Sequence, residues 1–394
     1  MSRSPGSTLF AYPFRPFFLL VGAYGGLIIL AWVAFFLGWL TFPAHVVPVY
    51  WHAHEMLFGL VPAAIAGFLL TAISNWTGAP PLRSRGLVAL VSLWIAGRLG
   101  MWLAGILPMT LVSAVDLAFL PALGAYAFVV LKRAGNRRNY FLVAIIGLLA
   151  LANLGMHLGF LGMAPLLPRL AEIMALDLIA LVMIAIAGRI VPAFTANWLR
   201  GHGSDPAVVR RNARLDAVAL ITTAAMIPAD IVPAPPWVAA AVALFAAVAN
   251  GLRLGGWAGW RTAREPLLWV LHLGYAWIVV ALLLKAFAPV AGLPPSAWFH
   301  AMGTGAVGTL ILGVMTRVAL GHTGRPLALP RGAVSVYAAI IAAGIFRVIA
   351  ALPVISHYTI LVVGAALCWS AAYILFTTMY WPILSRPRVD GRPG

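Results

Sequence analysis

Apolar runs long enough to cross a bilayer recur from one end of this sequence to the other, and nothing between them is long enough to fold as a separate domain. A bilayer core takes roughly 20 residues of helix. The composition points the same way, with 63% apolar and only 9% charged residues, a balance that soluble globular domains do not have. The expected fold is all-α: a polytopic integral membrane protein of about twelve transmembrane helices. Residues 1–394 form one membrane domain, divided into a tail 1–16, a helix bundle 17–384 and a tail 385–394.

Read between Pro, Gly and Arg punctuation, the spans fall near 17–40, 54–73, 86–106, 109–131, 141–162 and 171–196, then near 215–229, 237–255, 266–287, 298–320, 332–351 and 357–384. The seventh is short and rich in Ala; its loss would make the count odd. Charge placement is an independent guide, because short cytoplasmic loops collect Lys and Arg. Arg83 and Arg85 follow span two, Lys132, Arg133, Arg137 and Arg138 follow span four, and Arg200, Arg210, Arg211 and Arg214 follow span six. Arg253, Arg261 and Arg264 follow span eight, Arg325 and Arg331 follow span ten, and Arg386, Arg388 and Arg392 close the chain, with Arg169 the main exception in the other loops. Both termini are therefore expected on the cytoplasmic side of the membrane. The net charge of +17 is an orientation signal spread over short loops, and argues against nucleic acid as a partner.

The N-terminal segment has no cleavable signal pattern, since its first apolar run reads as a full span. Cys368 is the only cysteine, which excludes intramolecular disulfides and Cys-ligated clusters. Metal chemistry here has to use His, Met or carboxylate.

An internal repeat appears at an offset of 246 residues: His54, Met56, Gly59, Gly67, Thr77, Gly78 and Pro80 match His300, Met302, Gly305, Gly313, Thr323, Gly324 and Pro326. The copies lie in spans two and ten, and span six shares the inner-end pair Asn197 and Trp198 with Asn75 and Trp76. Four-helix spacing suggests three quasi-repeated four-helix units, an architectural likeness to the haem-copper oxidase catalytic subunit. The oxidase signatures are absent: there is no adjacent His pair, and spans six and seven contain no His.

Ionisable groups inside a bilayer are costly and usually functional, which directs attention to the nine His residues. Trp51-His52-Ala53-His54-Glu55-Met56 brings two imidazoles and a carboxylate into span two, His300 enters span ten at matching depth, and His157 lies near the outer end of span five. Neighbours two apart on a helix point roughly 200° apart, so His52 and His54 serve different sites. Haem iron takes axial imidazoles from facing helices and copper also suits imidazole. His54 and His300 are the candidate axial ligands of a b-type haem, and His52, His157 and Glu55 the candidates for copper or another second metal. His272, Arg189, Arg317 and His322 make a possible inner site, for which the bland reading is a hydrogen-bonded His and snorkelling Arg. His45, His202 and His357 read as solvated, and Asp116, Glu172 and Asp177 as relay groups or partners of Arg98 and Arg347.

The strings Phe14-Arg15-Pro16-Phe17-Phe18, Trp51-His52-Ala53-His54-Glu55-Met56, Gly188-Arg189-Ile190-Val191-Pro192 and Gly321-His322-Thr323-Gly324-Arg325-Pro326 resemble the NnrS family of bacterial membrane proteins, nearly end to end. That resemblance implies a haem- and copper-containing inner-membrane protein contributing to tolerance of nitric oxide or nitrosative stress. Its partners would be nitric oxide or another small diatomic ligand, the lipid bilayer and an unidentified electron donor; if an enzyme, it would be an oxidoreductase acting on nitric oxide. A twelve-helix secondary transporter and a non-catalytic haem-binding sensor or assembly protein are the alternatives, although a six-plus-six transporter would repeat over six helices, whereas this repeat spans eight.

Overall fold

The structure is a computed structural model and describes residues 8–41, 46–353 and 356–392; His45 lies outside them. Among the described residues the chain is helical, without strands. Its long helices are α1 (Phe14–Phe36), α2 (Pro48–Thr77), α3 (Ser84–Trp102), α4 (Met109–Arg133), α5 (Arg137–Phe160), α6 (Leu167–Gly201), α7 (Ala213–Ile231), α8 (Pro236–Gly256), α9 (Pro266–Ala291), α10 (Pro295–His322), α11 (Val334–Ala350) and α12 (Tyr358–Leu384). Helices suit a bilayer because each satisfies its own backbone hydrogen bonds. Nine of them are long and apolar enough to cross a membrane, all but α3, α7 and α11. The remaining three coincide with expected spans: α3 carries Arg85 and Arg98, α7 carries Arg214, Asp216 and Asp230, and α11 has 17 residues.

Proline sets several starts, since its missing N–H costs nothing in a first turn. Pro48, Pro236, Pro266 and Pro295 open α2, α8, α9 and α10. For α2 this moves the start upstream of the expected residue 54, so His52 and His54 lie inside the helix rather than at its mouth. Just past His54, α2 widens to a π-helical segment, Glu55–Leu60, and α10 does the same just past His300, over Ala301–Gly308. Such widened turns frequently occur at functional sites. The repeat found in sequence is thus also a repeat of backbone form.

The chain divides into two compact units, not three sets of four helices. Unit one comprises Met1–Ala175, Val318–Leu327 and Phe376–Gly394. In it Phe14, Phe17 and Phe18 of α1 are buried, and Gly67 of α2 leaves room for the Phe18 ring, which an added Cβ would meet at 2.8 Å. Arg15, fully buried, donates from Nη1 to the carbonyls of Leu384 (2.6 Å) and Arg386 (2.8 Å), satisfying acceptors that the end of α12 leaves open. His322 packs its ring 5.6 Å from that of Phe14. The start of α1 and the ends of α10 and α12 therefore lie together.

Unit two comprises Leu176–Arg317 and Ala328–Leu375. There the π-helical segment of α10 packs Gly305 under the indole of Trp277, and Gly344 of α11 closes on Gly305, where an added Cβ would meet its Cα at 3.2 Å. Apolar side chains such as Leu27, Leu151, Phe245 and Ile360 stand exposed on the outside of their helices, as a lipid-facing surface requires.

Candidate functional site

Five helices of unit one, α1 to α5, converge on buried charge. Glu55, the first residue of the π-helical turn, accepts at Oε1 from Arg98 Nη1 (2.5 Å) and faces His54 Nδ1 at 2.9 Å. Its Oε2 accepts from the Tyr24 hydroxyl, which in turn accepts from Trp102 Nε1 at 3.1 Å. Arg98 turns its other terminal nitrogen to Asp116 Oδ1. Asp116 Oδ2 gathers His157 Nε2 (2.8 Å), Asn153 Nδ2 (2.9 Å) and His54 Nε2 (3.1 Å). Ser113 Oγ completes the set at 3.0 Å from His157 Nδ1. His54, Glu55 and His157 are fully buried, and Asp116 and Arg98 nearly so.

Small residues make this possible. An added Cβ on Gly59 would sit 2.5 Å from Arg98 Nη1, and one on Gly97 would sit 3.0 Å from Asp116 Oδ1. The guanidinium thus reaches both carboxylates across the glycine faces of α2 and α3. At the repeat offset, Glu55, Arg98 and Asp116 fall on Ala301, Gly344 and Val362. The second copy keeps a His but none of the three charges, and Trp277 covers the repeat-related Gly305 where Arg98 covers Gly59.

Two chemical capacities follow. Ionised carboxylates only accept hydrogen bonds, so His54 meets Glu55 and Asp116 together when both ring nitrogens carry hydrogen. His54 and Arg98 then balance Glu55 and Asp116, which is what burial of four charges demands. The alternative occupant is a metal ion: one ligand atom each from His54, Asp116 and His157 lie within 4.8 Å of one another. Two imidazoles and a carboxylate suit copper, zinc or iron. Asn153, Ser113 and Glu55 then act as the outer partners that fix ligand orientation.

The sequence candidates distribute unevenly over this geometry. His54 and His157 come together, and Glu55 touches His54. His52 instead stacks on Trp32, ring centroids 4.6 Å apart. His300 belongs to unit two, where its Nδ1 lies 2.8 Å from the Ser296 carbonyl. Of the inner set, His272 Nε2 lies 2.9 Å from Thr195 Oγ1 and Arg317 lies 4.3 Å over the Phe194 ring, both against α6. Arg189 is half-buried on the same helix, and His322 lies in unit one beside Phe14. His202 and His357 are exposed, as expected.

Of the anticipated acid partners, Asp116 takes Arg98, Glu172 takes the nearby Arg169 (2.9 Å), and Asp177 takes Lys285 rather than an Arg. Sequence reasoning saw Asp116 only as a relay or pairing group, and missed Tyr24, Asn153 and Ser113. An acid inside an apolar run was the available signal for Asp116; the uncharged members carry none.

The family model described as NnrS protein matches residues 8–388. No match is found among curated proteins.

Proposed function

Since the chain belongs to the NnrS family, a membrane protein group associated with nitric oxide, we propose that its buried His54, Asp116 and His157 hold one metal ion, copper by preference, at the place where nitric oxide is handled. The observation that carries this reading is the convergence of those three ligand atoms in a pocket already balanced by Arg98 and Glu55. When bound, copper would supply a redox-active centre able to coordinate a diatomic ligand. The protein's own part is to hold it: Asn153 steadies Asp116, Ser113 orients His157, and Glu55, which meets His54 on one oxygen and takes the Tyr24 hydroxyl on the other, can hold or pass a proton. Nitric oxide partitions into lipid and reaches such a site without a polar channel.

Haem b belongs to the same proposal, and His300 would help to hold it. The Ser296 carbonyl against its Nδ1 is the kind of outer partner that fixes the ring of metal-binding His residues. His54, paired to a carboxylate at each nitrogen, serves the ion better than a haem.

We also propose twelve crossings with both termini cytoplasmic. The nine apolar helices leave α3, α7 and α11 to be decided, and contacts within unit one support all three. The Ser84 N–H at the start of α3 donates to the Phe10 carbonyl ahead of α1, and Asn136 beyond α4 reaches the Trp76 carbonyl at the end of α2. With α4 crossing, α3 has to cross too. Since α10 and α12 end on the face where α1 begins, α11 crosses, and parity then requires α7. The buried cluster accordingly falls in the periplasmic half.

The test is metal analysis and spectroscopy of purified protein. Wild type should bind copper stoichiometrically, His157→Ala and Asp116→Asn should lose most of it, and His300→Ala should lose the reduced b-type haem band while keeping copper. Nitric oxide added anaerobically to the reduced wild-type protein should change its spectrum. Full copper in both cluster variants would remove the metal assignment; an unchanged spectrum would remove the nitric oxide reading.

A further inference from the structure

Unit two carries a set of largely buried charges of its own. Lys285, on α9 close to its C-terminal end, donates from Nζ to Asp177 Oδ1 of α6 at 3.1 Å and to Asp230 Oδ2 at the end of α7. The indole of Trp298, in the first turn of α10, lies 4.2 Å from the same nitrogen. The side chains of Lys285 and Asp177 are 6% and 1% exposed, so water does not screen them. Among the described residues, the charged groups facing this place are Asp177 from α6 and Asp230 from α7; α10 contributes an uncharged ring.

Two features of this arrangement do not balance. Two ionised carboxylates against one ammonium leave a net charge of −1 among apolar helices, where an uncompensated charge is costly. Asp177 Oδ2 is buried without a hydrogen-bond partner, while the Asp230 carboxyl takes a second hydrogen bond from the ammonium that Asp177 uses. The one ammonium serves both carboxyl groups, and no second donor reaches Asp177 Oδ2.

We propose that Asp177, Asp230 and Lys285 form a proton-binding site, with one proton shared between the two carboxyl groups and Lys285 held against both. The proton supplies the missing donor for Asp177 Oδ2 and brings the set to neutrality. A metal cation would meet the adjacent ammonium as a like charge and would need several more oxygen donors than these two side chains offer. Loss of the proton restores the net negative charge on the three helices that the set ties together, α6, α7 and α9. The site is thus a place where membrane-embedded helices take up and release a proton.

Infrared difference spectroscopy of the full chain in lipid nanodiscs, recorded across pH, tests this directly. Wild type should show a protonated carboxyl C=O stretch that shifts in D2O and disappears as pH rises. Asp177→Asn and Asp230→Asn should each abolish it, because either change leaves a neutral Lys–Asp pair with no need of a proton. A band that survives both substitutions, or no such band in wild type, overturns the proposal. So does its loss at fixed pH when sodium chloride replaces choline chloride, which would assign the place to a metal cation. Should the Asn variants fail to fold, Asp230→Glu keeps the acid and moves it; the band must then shift, and an unmoved band overturns the assignment.

Discussion

Replacing Arg98 with Met is the sharpest test of the cluster. Met keeps the apolar stem of the side chain and deletes a guanidinium that bridges Glu55 and Asp116, both buried. Removing one partner of a buried ion pair costs about 3–5 kcal/mol, because a charge is left without compensation. Two carboxylates lose the same partner here, so the upper half of that range is expected. At about 1.4 kcal/mol per decade, the ratio of folded to unfolded protein should fall by roughly a thousandfold. The assay is unfolding in mixed micelles of rising SDS content, followed by tryptophan fluorescence and circular dichroism. The control is Glu55→Gln combined with Arg98→Met, which restores neutrality by leaving His54 opposite Asp116, and should recover at least half of the loss. Arg98→Lys should be intermediate, since a single ammonium cannot bridge two carboxylates as a planar fork does. A midpoint for Arg98→Met equal to wild type, or no recovery in the double variant, would refute the argument that these charges balance one another.

Two further outcomes are expected. The Arg388 guanidinium beside Asp390 holds that exposed carboxyl down to about 2, and Arg388 also donates to the His322 carbonyl at 2.7 Å, clasping the tail to the end of α10. A carboxyl depressed on folding contributes stability that is present above its ordinary value of 3.8 and lost as pH falls toward 2; the tail should resist trypsin throughout the neutral and mildly acidic range, whereas Asp390→Asn should be cut faster at pH 7. Reporter fusions should place both termini and the Arg137 loop in the cytoplasm and His45 outside, and a periplasmic C-terminus would break the parity argument that includes α3, α7 and α11.

What the sequence made legible was whatever local pattern encodes. Apolar runs located the helices, and Lys and Arg density marked alternate loops. The start of α2 lies upstream of residue 54 because Pro48 opens the helix, which places both His residues inside it. The site was only half visible. His54, Glu55 and His157 stand out as ionisable residues in apolar surroundings, but their assembly depends on Arg98, Asp116 and Asn153, from helices whose contacts no periodicity predicts. Lys285 escaped notice because it follows an unbroken Ala-Leu-Leu-Leu run and falls at a depth where a single Lys passes for a snorkelling side chain. Only the approach of Asp177 and Asp230 shows it to be held inside.

The clasp of Arg15 on the end of α12 has a consequence for the order of assembly. Its acceptors lie 369 and 371 residues downstream, so during synthesis the first helix exists long before the groups that satisfy its guanidinium. At about 5–20 residues per second the interval is roughly 20–75 s, during which a cation destined for complete burial has to rest against water, lipid phosphate or the insertion machinery. The first helix cannot reach its final seat until the last has been made. A ribosome that stalls before Leu384 would therefore release a chain whose opening helix is still undocked, a recognisable target for membrane quality control.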